Sequence, residues 1–265
     1  MWMLIALLVL FPIVSPAYER IISLSPQVTE SVYLLNGESR LIAISGFCKQ
    51  PDNAAKKERI GTPLRPDIER IVSLKPDLVL GSREGNSPFT MERLKNLGIK
   101  VYYFSRPRDF NGLAENFLQL SSMLEKKEQG KMIIDTVEAS MKATGYSTPF
   151  TALWQVGADP LIVASSSSLA NDIIHFAGGV NIIKTELPYP RMNVEEVVLQ
   201  RPEVIVLTSM GYSVETEKGR WRRFLKDARF VTLDPYVVGS PTPVSFLKAV
   251  KRLRAAFHRP VDNDS

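Results

Sequence analysis

The amino-acid sequence predicts an α/β fold of two similar lobes with mainly parallel sheets, a long helix between them and a cleft where they face each other. Three observations lead there. Apolar β-branched runs alternate with amphipathic helical stretches, a helix–turn–strand segment occurs twice, and 265 residues exceed the usual domain length of about 150. The bulk composition agrees. With 45% hydrophobic and 23% charged residues, a disordered chain, a collagen-like repeat and a multi-span membrane protein are excluded. A net charge of +5 over this length does not by itself establish a nucleic-acid partner.

From the N-terminus, residues 1–17 carry no charged side chain, and 4–14 form an apolar run broken by Pro12. Ser15, Pro16 and Ala17 follow, with small residues where a signal peptidase reads. Residues 1–17 are therefore expected to be a cleavable signal peptide, although only the terminal amine supplies its positive charge. The run is shorter than the roughly 20 residues of a spanning helix. The single cysteine, Cys48, lies too far downstream to carry a lipid anchor at the mature end, so the expected location is a periplasm.

Residues 18–124 form the expected first lobe, with strand-like runs at 21–24, 41–44, 78–80 and 99–104. In the second, 146–265, the corresponding runs are 152–156, 161–164, 204–207 and 230–233. Alternation with helical stretches points to parallel strands covered on both faces, and ligands of such sheets sit beyond the strands' carboxyl ends. Between the lobes, 125–145 reads as a linking helix whose apolar positions Met132, Ile133, Val137, Ala139 and Met141 recur at helical spacing. Twenty helical residues span about 30 Å, enough to pass from one lobe to the other and stiff enough to limit hinge closure. An ordinary surface helix of one lobe is the competing reading.

The repeat is found by sliding the chain 126 positions, which lays 68–80 on 194–206. Glu69 falls on Glu195, Lys75 on Arg201, Pro76 on Pro202 and Asp77 on Glu203. Each copy reads as a short helix, a Pro-acid turn and a buried strand. A second slide, of 142, lays 21–36 on 163–178, with Ser25 on Ser167 and Glu30 on Asp172. Because the offsets differ by 16, the first lobe must carry an extra stretch, for which 47–63 is the candidate.

The segments RIISLSPQVTE at 20–30, IERIVSLKPDLV at 68–79, LGIKV at 97–101, GGVNII at 178–183 and NVEEV at 193–197 resemble a known family. They are similar to the helical-backbone substrate-binding proteins of ABC importers, the Fe/B12 class, nearest to its cobalamin-binding members. The resemblance covers nearly the whole mature chain. It implies two Rossmann-like lobes and a monomer that carries a cobalamin-like corrinoid, haem or a ferric siderophore as cargo, with no resident cofactor. Its implied partner is a dimeric inner-membrane permease with ATPase subunits. In that family one exposed Glu on each lobe meets arginines of the permease, and the motif places this role on Glu69 and Glu195. Two carboxylates related by a pseudo-twofold suit a twofold partner, while solvated first-turn helix acids are the plainer reading.

For the cleft, Ser25 before Pro26 and Ser168 in the second lobe read as helix N-caps whose helix ends would offer donors to a ligand. Caps that only stabilise the helices are the alternative. Phe47, Trp154, Tyr189 and Tyr236 stand in loop-like stretches or beside strand ends, and aromatic faces suit a flat macrocycle. By resemblance, Phe47 and Tyr189 match corrin-facing aromatics, whereas Pro63 and Ser82 occupy positions where corrinoid binders carry tryptophan. Arg65, Arg83, Arg106 and Arg191 lie in or near candidate cleft loops and suit an anionic iron chelate. The expected ligand-binding set is Ser25, Phe47, Ser82, Arg83, Trp154, Ser168, Tyr189, Arg191 and Tyr236.

The main rival is an exported α/β enzyme. With one cysteine and two histidines, His175 in an apolar helical stretch and His258 in a basic one, no His-based triad or multi-cysteine metal cluster can be built, and no phosphate-binding Gly loop is present. A bare zinc or manganese site would want more His ligands. The basic stretches at 221–223 and 248–259 have the one-sided pattern of solvated helix faces.

Overall fold

The structure, a computed structural model, describes residues 18–142, 149–208, 210–239 and 241–258. The expected signal peptide at 1–17 lies outside them. Buried Ile and Leu build the central strands of the first lobe, while Ser-Pro pairs start two of its helices. Its elements are β1 (Ile21–Ser23), α1 (Pro26–Leu34), β2 (Leu41–Ile44), β3 (Glu58–Arg59), α2 (Ile68–Ser73), β4 (Leu78–Ser82), α3 (Pro88–Asn96), β5 (Val101–Phe104) and α4 (Phe110–Met123). The sheet has the order β3-β2-β1-β4-β5, with every pairing parallel.

Helix α5 (Lys127–Lys142) precedes the second lobe, which is made of β6 (Phe150–Ala158), β7 (Leu161–Ala164), α6 (Leu169–Phe176), β8 (Gly179–Asn181), α7 (Val194–Gln200), β9 (Val204–Thr208), α8 (Val214–Arg222), β10 (Arg229–Leu233), α9 (Pro235–Gly239) and α10 (Pro243–His258). Its sheet runs β10-β9-β6-β7, with β8 also on β6. All pairs are parallel except β6–β7. Only Asp159 and Pro160 separate those two strands, too short a link for a parallel crossover.

The repeat at 126 is a repeat of geometry. Helix α2 starts at Ile68 and α7 at Val194; β4 starts at Leu78 and β9 at Val204. Lys75 and Arg201, paired by the slide, both adopt left-handed backbone, with φ of 47° and 45°. A non-glycine residue held there costs about 1 kcal/mol, so the shared turn is a specific device. The slide of 142 is only half right. It superposes α1 on α6, but its strand half falls on β7, whereas the strand in β1's place is β6: β1 lies between β2 and β4, and β6 between β8 and β9. Similar apolar triplets do not reveal which strand they pair with. The extra stretch of the first lobe carries a 3-10 turn at Asp52–Lys56 and edge strand β3.

One buried cluster runs from the first lobe into the second through α1, α4, α5, α6 and α10. Phe110, Phe176 and Phe246 meet there with ring centroids 5.1–6.1 Å apart. On α5 the buried stripe is Gly130, Ile134, Val137 and Met141, the i, i+4, i+7, i+11 pattern of one helix face. Of the five apolar positions read at helical spacing, Met132 and Ala139 are exposed, Met132 by 62%. Arg254 of α10 donates to the carbonyls of Ser140, Met141 and Phe176, tying the end of α5 to α6. Smaller clusters fill the outer face of each sheet.

Two acids cross between the lobes in a reciprocal way. Asp172 of α6 accepts from the backbone N–H of Phe110, the first residue of α4, at 2.8 Å. Glu30 of α1 accepts from the hydroxyl of Thr242, just before α10, at 3.3 Å. These are the two residues that the slide of 142 pairs. Burial raises the affinity of both carboxylates for protons.

Candidate functional site

Loops beyond the carboxyl ends of both sheets enclose a cavity of about 480 Å³, within the range of roughly 300–1,000 Å³ usual for small-molecule sites. The first lobe contributes Glu84 from the loop after β4 and Arg106 and Arg108 from the loop after β5. From the second come Trp154, Ser168 and Tyr189, with Thr208 and Met210 on the β9 side. A second cavity of about 620 Å³ lies between α1, residues 49–51 and α10, and Glu30, Asp234, Tyr236 and Lys248 line it.

Of the expected ligand-binding residues, the structure brings three to the first cavity. Trp154 is only 2% exposed: it packs in the core of the sheet and borders the cavity without a free ring face. Tyr189 is 47% exposed between two prolines and borders the cavity. Ser168 occupies the cap position of α6 in extended backbone, yet its hydroxyl donates to the carbonyl of Ser165 at 2.7 Å and does not cap.

The others go elsewhere. Ser25 is buried before α1, where its hydroxyl donates to Gln27 Oε1 at 3.1 Å; it too fails to cap. Pro26, which has no N–H, already lowers the need for that cap. Ser82 is fully buried and accepts from Gln27 Nε2 at 2.9 Å. Arg83 turns outward, its guanidinium 5.1 Å from the centre of the Tyr103 ring. Phe47 is 55% exposed and lines neither cavity. The exposed Arg191 bridges to Ile162 only through its backbone. Tyr236 borders the second cavity, and its hydroxyl accepts from the backbone N–H of Gln50 across the lobes at 3.1 Å. Among the four arginines considered for the cleft, Arg106 alone borders the first cavity.

Sequence reasoning missed Glu84 and Gln27. Gln27 Nε2 donates to Ser82 Oγ and to Glu84 Oε2, both at 2.9 Å, so Ser25, Ser82 and Gln27 form a chain that holds Glu84 in the wall. Burial pushes the Glu84 carboxyl up to about 7, against the lowering effects of Gln27 and Arg106. The available signal was its place directly after a strand's carboxyl end.

Glu69 and Glu195 occupy the second position of α2 and α7, both exposed. Their local supports differ: Asp67 caps α2 by accepting from Arg70 N–H at 2.9 Å, whereas Asn193 makes no such bond to α7. Cys48 is buried against Thr29 Oγ1 at 3.1 Å, its thiol pushed up to about 11, and does not form a thiolate near neutral pH. Among the described residues no cluster of three potential metal ligands occurs.

Two α/β lobes with a cavity at the strand ends of both define a protein that captures a small molecule between its lobes. Residues 21–231 match the family model described as Periplasmic binding protein, and the chain belongs to that family. It is thus a binding component of an ABC importer, working with permease and ATPase components, and not an enzyme. A curated relative, the vitamin B12-binding protein of Yersinia pestis (strain Pestoides F), is 29% identical over 222 residues, 82% of this chain and 79% of the relative. Among solved structures, the periplasmic vitamin B12 binding protein BtuF of Vibrio cholerae superposes with a TM-score of 0.72 at 26% identity, covering 90% of this chain and 96% of that one. The periplasmic heme binding protein HutB of Vibrio cholerae shares the fold, with a TM-score of 0.79 at 19% identity and coverage of 91% and 99%.

Proposed function

We propose that the protein captures a cobalamin-like corrinoid in the cavity between its lobes and hands it to a dimeric permease through Glu69 and Glu195. The observation that carries the ligand is the cavity itself: Tyr189 supplies exposed ring surface on one lobe, with the buried Trp154 at the border, and charged groups face it from the other. The names of the relatives support the corrinoid. A ferric siderophore or haem is the second reading, favoured by Arg106 and Arg108 in the same wall. In this reading residues 1–17 direct export, 18–124 and 146–265 form the lobes of a monomer, and 125–145 links them.

The test is direct titration of the mature protein with cobalamin, haem and several ferric siderophores, followed by absorbance and calorimetry. Micromolar or tighter binding of cobalamin is expected. Tight binding of an iron chelate alone moves the assignment to the second reading, and binding of none of them overturns both.

A further inference from the structure

Glu84 is the one acidic side chain lining the cavity at the strand ends among the described residues. Its Oε2 accepts from Gln27, and Oε1 has no hydrogen bond to any described residue. No cation stands within ion-pair distance of it among the described residues, so Arg106 acts only from farther off. Holding an unpaired carboxyl in a cavity wall costs stability. The hydrogen-bonded chain Ser25, Gln27 and Ser82 nevertheless fixes it there, opposite Tyr189 of the other lobe. An oriented acceptor with a free oxygen is built to receive an N–H.

Corrinoids and porphyrins differ in what they carry at the rim. A corrin ring bears neutral carboxamides, each with two N–H donors, whereas haem bears carboxylates. Resting on the corrinoid reading above, we propose that Glu84 is a specificity-determining residue: it takes the N–H of a peripheral amide and turns away a ligand that presents a carboxylate at that point. Arg106 and Arg108 bias their own end of the cavity the opposite way, so the wall is graded, amide-reading at Glu84 and anion-tolerant at the β5 loop.

The probes are cobalamin and its mono-carboxylate derivatives, in each of which one peripheral amide has become a carboxylate. Affinities are measured by calorimetry at about pH 8, above the value near 7 so that the Glu84 carboxyl is ionised, for the wild type and for Glu84→Gln, whose amide oxygen still accepts from Gln27. Glu84→Ala is a second variant with the same expectation. For at least one derivative the wild type is expected to prefer the amide by about tenfold or more, the scale of one charge-assisted hydrogen bond, and the variants to lose most of that preference. If cobalamin binds but every preference is unchanged within about twofold in both variants, the proposal is overturned while the corrinoid reading stands. If cobalamin does not bind the wild type at all, the corrinoid reading fails and takes this inference with it.

Discussion

The two lobes share a helix–turn–strand unit down to the left-handed Lys75 and Arg201, yet offer opposite chemistry to the cavity between them. The first presents charge, in Glu84, Arg106 and Arg108. The second presents the ring of Tyr189, with Trp154, Ser168 and Thr208 buried at the border and the two hydroxyls bonded to backbone carbonyls. What the lobes keep in common is scaffold, and the part of what differs that reaches solvent, Glu84, Arg106, Arg108 and Tyr189, sits in the loops past the strand ends. A rigid frame can tolerate that divergence because loop side chains contribute little to the core. Glu69 and Glu195 follow the frame, being matched in position and exposure, which is what a twofold partner would read.

The largest expected effect tests that last equivalence. Reversing both Glu69 and Glu195 to Arg is expected to abolish uptake while leaving ligand affinity unchanged, and each single reversal to give a partial loss. A single reversal as severe as the double would mean that the lobes dock unequally, and unimpaired uptake in the double would remove the docking role.

Next in size is the core that the lobes share. Phe246→Ala removes a fully buried ring packed against Phe110 of the first lobe and Phe176 of the second. A loss of about 3–5 kcal/mol is expected, in one cooperative transition that lowers both lobes together. Two resolved transitions in urea, with only the second lobe weakened, would show the lobes to be independent.

Smaller effects separate the charged wall from the crossed acids. A carboxyl raised from 4.5 to about 7 binds more protons folded than unfolded, so its cost grows as pH rises from 4.5 and is complete above about 7. For Glu84 that cost is about 3 kcal/mol at most. Relative to the wild type, Glu84→Gln is therefore expected to gain stability at pH 8 and none at pH 4, measured by urea unfolding. The half-buried Asp172 and Glu30 are raised in the same direction by burial, so Asp172→Asn and Glu30→Gln also flatten the pH dependence, each by less than Glu84→Gln does. If the two differ markedly, the lobes are fastened unequally.

Much of the fold was legible because its signals are local. Pro76 and Pro202 end their helices in any context, and apolar runs of Ile, Val and Leu mark β1, β2, β4 and β9. Strand β3 is Glu58 and Arg59, and β8 is Gly179 to Asn181; neither has an apolar period to find. Pairing was the other gap, since β7 resembles β1 in sequence while running antiparallel in a hairpin. At the site, loop position identified Tyr189, Ser168 and Arg106. It could not separate Arg83 from Glu84, adjacent residues of one loop whose side chains leave in different directions, one over Tyr103 and one into the cavity wall. Gln27 reads as any polar residue of a helix's first turn until its partners are seen.

The reciprocal bonds of Glu30 and Asp172 have a further consequence. Each acid, at matching places in two related halves, reaches the start of a helix in the opposite half. When residue i of one subunit meets j of its mate and j meets i, the interface is isologous, the form that twofold homodimers adopt. Joining two copies of such a subunit end to end would preserve the contact inside one polypeptide, and each half would then be free to diverge. The charged wall of one lobe and the aromatic wall of the other are the asymmetry that such a fusion permits and that a true homodimer, with identical halves, could not encode.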